Sequence, residues 1–309
     1  MLNLSRLRIL HELNRSGTLA EVARVLSYTP SAISQQLSLL EREAGVQLLE
    51  KVGRRVRLTD EALTLVKHTE VILEQLELAE AELSAALPDV RGVLRVASFQ
   101  TVLLSILPVA LTLLSQTHPM LEVEITQREV GSAYEGLLAH DFDLILGEEY
   151  PGLPEPVRPG VDRVDLVRDG LRLALPGEGL LAARPQSLAD LADAPWALDP
   201  SYSPARTWAD LLCRQAGFEP RVRFESPDPV LHAHLVRMGH AVAFIPSLVG
   251  AEHLGGTQLV ALPGDQQRVL FTAVRKGRSK HRAVQAFREA LGQAALANPV
   301  LPPVLQLRD

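Results

Sequence analysis

A chain of 309 residues with 47% hydrophobic and 22% charged residues is long enough for more than one buried core. Its formal charge of −6 excludes a protein that coats nucleic acid along its whole length, and one cysteine, Cys213, excludes an intrachain disulfide and suits a cytoplasmic setting. The opening MLNLSRLRIL lacks the apolar region of a signal peptide, and the longest apolar stretch, 102–114, is broken by Ser105 and Pro108, so no membrane partner is expected.

The first legible element is a pair of short helices in 17–41, GTLAEVARVLSYTPSAISQQLSLLE. Thr18 and Glu21 have the spacing of a capping box, which predicts a helix over 19–26. Ser27 and Tyr28 then turn the chain. Thr29 before Pro30 is a second start, a capping hydroxyl followed by a residue whose fixed φ and missing N–H cost nothing at the first helical position. In this second helix Ile33, Leu37 and Leu40 share one stripe, and Ser31, Gln35, Ser38 and Arg42 share another. Gln and Ser can address base edges in a major groove. On these residues alone, a helical hairpin with a solvated polar face is an equal reading.

The next residues of the chain favour DNA. Gly45 ends the helix, and after a turn at Gly53 the segment KVGRRVRLT sends Arg55 and Arg57 outward and Val56 and Leu58 inward, a two-stranded wing with a basic edge. Residues 1–59 carry nine Lys/Arg against five Asp/Glu, whereas residues 60–87 carry one Lys against seven acids. Positive charge is therefore gathered where phosphates would be met.

Residues 7–59 resemble the winged helix-turn-helix of LysR-type transcriptional regulators, matching in order Leu7, Leu10, Gly17-Thr18, Ala23, Leu26, Ser31-Ala32-Ile33-Ser34, Leu40-Glu41, Gly45, Leu48 and Gly53-Arg54-Arg55. The resemblance implies that Thr29, Pro30, Ser31, Ser34, Gln35, Ser38 and Arg42, with Arg54, Arg55 and Arg57 of the wing, meet double-stranded DNA at an interrupted palindrome. Pro30-Ser31 departs from the family's commonest Gln-Pro pair, which bears on the operator sequence.

Residues 60–87 contain no Gly or Pro and predict one long linker helix of roughly 40 Å. Leu65, Thr69, Ile72, Leu76, Ala79, Leu83 and Ala86 recur at spacings of four and three, the seam of a two-stranded coiled coil. One side of an intrachain bundle is the alternative. In the family this helix dimerises two heads. A homodimer, with a dimer of dimers and contact with RNA polymerase, is implied by the resemblance.

Beyond residue 90, strands at GVLRVASF, LEVEITQ and FDLILG alternate with helices over 101–117 and 132–140, a β-α-β-α-β run that argues a mostly parallel α/β sheet. A second set comprises DGLRLALP, WALDP, a helix over 204–216, RVRFE, a helix over 228–238 and AVAFIP. VLFTAVRKG and a helix over 280–297 come last. This stretch resembles the LysR-type effector module on Ser98, Asp143 and the run GHAVAFIP. The resemblance implies a two-lobed α/β effector-binding domain of periplasmic-binding-protein type over 91–309. Lobe 1 would take about 91–167 and 269–298, and lobe 2 about 168–268. Chain crossings are placed near Val167-Arg168 and 267–270.

Ser98, Gln100 and Thr101 sit where a strand gives way to a helix, so hydroxyls and free N–H groups there suit a carboxylate, although capping alone also selects Ser and Thr. Across the cleft, Ser201, Tyr202 and Ser203 occupy another strand-to-helix loop, which makes Ser201 and Ser203 candidates for the same effector. Glu148 and Glu149 come directly after FDLIL; facing the cleft, they would favour an amino or guanidino group, and otherwise they are solvated loop acids. The family uses the Ser98 position for its effector, and the resemblance adds Ala241.

His232 and His234 fall on different helix faces with no ligand beside them, so neither a metal nor another cofactor is called for. Cys213 reads as a packed hydrophobe, and no nucleophile–base pair stands at readable spacing, which leaves catalytic residues unassigned. Three classes fit a chain of this kind: a ligand-responsive transcription regulator, a solute-binding protein, and an enzyme with an appended head. The head counts against the second, the missing catalytic constellation against the third. The Pro-broken tail, 297–309, is expected to be poorly ordered.

Overall fold

A computed structural model describes residues 1–26, 28–52, 55–264 and 266–298; the tail beyond 298 and the tip of the wing lie outside them. Three helices open the chain: α1, Leu4–Ser16; α2, Leu19–Val25; and α3, Pro30–Ala44. The leucines of α1 and the 33/37/40 stripe of α3 face one another in a single core that includes Leu10, Ile33, Leu37, Leu40 and Leu48. Thr18 and Thr29 cap as their spacing predicts, each accepting an N–H three residues on. The capping box is only half formed. Glu21 bonds the Arg24 guanidinium instead of reaching back, because an ion pair one turn along outcompetes a neutral N–H. Gly17 and Gly45 end α1 and α3 at φ 73° and 70°, left-handed conformations that favour glycine.

The wing is an antiparallel pair, β1 (Leu49–Val52) and β2 (Arg55–Leu58), with Glu50 opposite Arg57. Thr59 caps α4, Asp60–Ala85, whose 26 residues span about 39 Å. The expected seam divides. Ile72, Leu76 and Leu83 are exposed, while Thr69 is fully buried and bonds its own helix at the Leu65 carbonyl. The opposite side is used within the chain: Ala62 and Val66 enter the head's core, and Glu77 and Ala81 are buried farther along.

The remaining elements form two lobes. In the first, β3 (Gly92–Ser98) pairs in parallel with β4 (Leu121–Gln127) and β5 (Leu144–Glu149). The helix expected over 101–117 is two, α5 (Gln100–Leu104) and α6 (Ile106–Thr117). Pro108 cannot donate to the Leu104 carbonyl and its ring crowds it, so the helix breaks at Ser105. Next, α7 covers Val130–Ala139, starting two residues earlier than expected, and β6 runs unbroken over Val161–Pro176 from one lobe into the other.

Lobe 2 contains β7 (Pro195–Leu198), α8 (Pro204–Gln215), β8 (Arg221–Glu225), α9 (Pro229–Arg237), β9 (Ala243–Pro246) and β10 (Thr257–Ala261). The chain returns through β11, Gln267–Arg275, and ends in α10, Arg282–Leu296. Strand order in the large sheet is β10-β6-β11-β5-β3-β4, with β9 also on β6. Among the described strands, parallel pairing is confined to β3 with its neighbours and the β7–β8 pair, with one isolated parallel bridge between Trp196 and Val242, because both crossing strands run back against their neighbours. Separate apolar cores fill the lobes, one around Phe287 and Leu144, another around Trp196 and Trp208. Among the described residues no helix is long and apolar enough to cross a membrane.

Candidate functional site

Two regions gather the residues singled out by the sequence. On α3, Ser31, Ser34, Gln35, Ser38 and Arg42 are exposed above a stripe in which Ile33, Leu37 and Leu40 have at most 1% exposure. Thr29 and Pro30 are also exposed, but the Thr29 hydroxyl is committed to the Ala32 N–H and stands 3.1 Å from that of Ser31. Arg57 is exposed and its Nη2 lies 2.8 Å from Glu50 across the wing. Arg54 and the side chain of Arg55 fall outside the described residues. Sequence reasoning missed Glu41, whose Oε1 accepts the N–H groups of Leu48 and Leu49 at 2.8 and 3.0 Å and so fixes where the wing leaves α3.

Between the lobes lies a cavity of about 600 Å³, lined by Gln100, Thr101, Glu148 and Ser203 among the expected residues. Ser98 is fully buried at the end of β3, Ala241 is fully buried in a core of lobe 2, and Ser201 is exposed; none of these three lines the cavity. Ser98 ends a run of three buried residues in β3 and its hydroxyl donates to the Phe99 carbonyl, while Ala241 packs with Ala233 and Val236 of α9. Ser203 is occupied in capping α8, accepting the Arg206 N–H. Glu149 pairs with Arg163 at 2.5 Å on the first lobe's own surface.

At the cavity floor is a group that no sequence pattern announces. Arg268, 2% exposed, lies opposite Asp169 in the β11–β6 register. Its Nε and Nη2 meet the Asp169 carboxylate at 2.8 and 2.6 Å, Nη1 bonds Glu148, and Nη2 donates to the Thr101 hydroxyl at 2.8 Å. Burial pushes the Asp169 carboxyl up, while Arg268 opposes that shift. The hydroxyl assigned to a ligand is thus engaged by an internal cation. No side chain caps α5, and Phe99, Gln100 and Thr101 at its start line the cavity.

The rest of the lining is acidic and aromatic. Burial, then the charge of Glu148, push Asp199 up to about 7. Arg158 pairs with Glu155 at 3.0 Å and sits 4.2 Å over the Tyr134 ring. Tyr150 and Phe244 pack on Trp208 at 5.7 and 5.1 Å between ring centres. Elsewhere, burial pushes the Cys213 thiol up to about 12, which leaves it unreactive. His232 is buried and His234 bonds Arg237, so the two rings do not converge, and no metal-holding group occurs among the described residues.

The comparisons with known proteins agree with this arrangement. Residues 4–63 match the bacterial regulatory helix-turn-helix protein, lysR family, and residues 89–296 match the LysR substrate binding domain. An uncharacterised HTH-type transcriptional regulator of Bacillus subtilis, YybE, is 23% identical over 92% of this chain and 96% of its own length. Full-length OxyR of Pseudomonas aeruginosa superposes with a TM-score of 0.64 at 19% identity, covering 98% of this chain and 99% of that one. Full-length CbnR in complex with its target DNA superposes at 0.52 with 25% identity, covering 95% and 100%. A reading head, a long helix and a two-lobed module in this order, matched over most of the chain, place it in the LysR family of bacterial helix-turn-helix transcriptional regulators.

Proposed function

We propose that this chain binds an interrupted palindrome in double-stranded DNA as a homodimer or dimer of dimers, and that a small carboxylate-bearing effector in the interlobe cavity sets its activity. One observation carries the DNA side: α3 buries one stripe completely while Ser34, Gln35 and Ser38 on the other make no side-chain hydrogen bond among the described residues. Polar groups left unbonded on a docked helix are ready for base edges. Self-association rests on the exposed stripe of Ile72, Leu76 and Leu83 on a helix already anchored to its own chain by the opposite face. Support for the carboxylate comes from the uncapped start of α5 at the cavity wall, with Arg128 close by.

An effector that favours one lobe arrangement changes the spacing of heads on DNA, and with it polymerase access. The test is selection of random duplex DNA by the purified protein, with and without a panel of amino acids and small carboxylates. Enrichment of an interrupted palindrome whose affinity or spacing responds to one compound supports the reading. Absence of enrichment at low salt sinks it, and turnover in the cavity would then be sought.

A further inference from the structure

The acidic wall of the cavity is not accounted for by a carboxylate ligand. Four carboxylates line it, Glu129, Glu148, Glu155 and Asp199, against three guanidinium groups, Arg128, Arg158 and Arg268. Pairing makes the imbalance larger, since Arg268 is already shared between Glu148 and Asp169, and Arg158 is taken by Glu155. Asp199 is left over. Its carboxylate meets no donor among the described residues except its own backbone N–H. Arg206 comes near but gives its Nη1 to the Asp199 carbonyl, not the carboxylate, and its Nε to Asp210 at 2.8 Å.

The groups around Asp199 add to the demand for a cation. Glu148 from β5 and Glu129 before α7 both repel its charge, and Arg268 from β11 offsets them only in part. The Tyr150 hydroxyl faces Glu148 at 3.3 Å and that of Tyr202 faces Glu129 at 3.5 Å. Glu225 lies beyond, 3.5 Å from Arg206. Phe99, Trp208 and Phe244 share the same cavity; Arg268 already stands 5.4 Å over the Phe99 ring, and Trp208 and Phe244 pack on each other.

We propose that the effector carries a protonated nitrogen, an ammonium or guanidinium group, seated against Asp199 between Glu148 and Glu129. This rests on the reading of the cavity as the effector site. Together with the carboxylate of the proposed effector, the ligand class is an amino acid or guanidino acid. The nitrogen supplies the countercharge that Arg268 cannot, and it turns a half-buried lone carboxylate into a hydrogen-bonded pair. A cation at Asp199 favours the ionised carboxylate, so binding near neutral pH releases a proton.

Calorimetry on the full chain tests this with three sets of probes: L-arginine, L-ornithine and L-glutamate; the amines agmatine and putrescine; and glutarate and benzoate. The expected result is that the tightest probe bears an amine, that its affinity rises about tenfold from pH 6 to pH 8 as Asp199 ionises, and that its heat varies with buffer ionisation enthalpy. Asp199→Asn should cost that probe at least tenfold and flatten its pH profile, leaving glutarate and benzoate unchanged. Should the variant fail to fold, the wild-type pH profile decides. Tightest binding by glutarate or benzoate, or a flat pH profile for every amine, overturns the proposal. DNA affinity measured alongside separates the two claims: a carboxylate that shifts operator binding upholds the regulator and sinks the nitrogen, whereas Asp199-dependent amine binding without effect on DNA does the reverse.

Discussion

Gln35 and Arg42 differ in what they could offer to DNA although both are exposed on α3. An amide that addresses one base discriminates, whereas a guanidinium on phosphate adds affinity without discrimination. Gln35→Ala should therefore relax preference by about 1–3 kcal/mol at one position of a selected site, and Arg42→Ala should weaken all sequences alike and lower the salt slope by about 0.9. Binding titrations over a salt series on single-base operator variants read both. Unchanged base preference in Gln35→Ala would mean that another face of α3 reads the groove. At this scale the sequence was informative where a residue's task is local. Thr18 and Thr29 cap because the cap and its N–H lie three residues apart, whereas Ser203, singled out for a ligand, turns out to be a cap of the same kind. Arg268 and Asp169 were illegible for the opposite reason, being 99 residues apart and brought together only by the β11–β6 register.

The linker helix shows the same limit at the level of an element. Its period announced a helix and an apolar seam, but not that Glu77, which falls off the seam, is buried to 6% exposure. Arg275 grips Glu77, and Arg278 joins it at 2.8 Å while also bonding Asp143 at 2.9 Å. Gly277 permits the approach, since a Cβ there would stand 2.8 Å from the Glu74 carbonyl oxygen. Burial works against the Glu77 charge, yet the two guanidinium groups more than offset it and hold the carboxyl below its usual range. His140 beside it is pushed down to about 3, by burial first and then by Arg275 and Arg8, so it stays neutral in the folded chain. An unfolded chain takes up that proton below about pH 6.5 and the folded chain does not, so the contribution of His140 to stability falls as pH drops from 6.5 towards 3, while Asp199, whose raised carboxyl keeps a proton that the unfolded chain releases, contributes in the opposite sense. Loss of the Glu77 charge extends the decline below the usual carboxylate range. Urea melts at pH 7, 6, 5 and 4 check this by difference: the stability of the wild type relative to His140→Gln should fall between pH 6.5 and 5.

For the whole molecule, the decisive feature is that β11 spans both functional regions. Arg268 near its start forms the cavity floor, and Arg275 at its end holds the linker helix through Glu77. The head also leans on the first lobe, with Arg24 3.6 Å from Glu135, so a shift of the lobe is felt by α2 as well as by α4. A ligand can redirect the heads only if its preference for one lobe arrangement reaches a contact between lobe and linker, and the buried Glu77 cluster is such a contact. Removing one partner of a buried ion pair typically costs about 3–5 kcal/mol, because the remaining charges lose their compensation. Glu77→Gln keeps the side chain's shape and leaves Arg278 its contacts to Glu80 and Asp143. The variant should then bind effector with unchanged affinity and still select the same half-sites, while the effector-induced change in DNA affinity or spacing shrinks several-fold. Footprinting and calorimetry on one preparation measure both. A full effector response in the folded variant would show that the signal leaves the cavity by another route, with the Arg24–Glu135 contact the next to be cut.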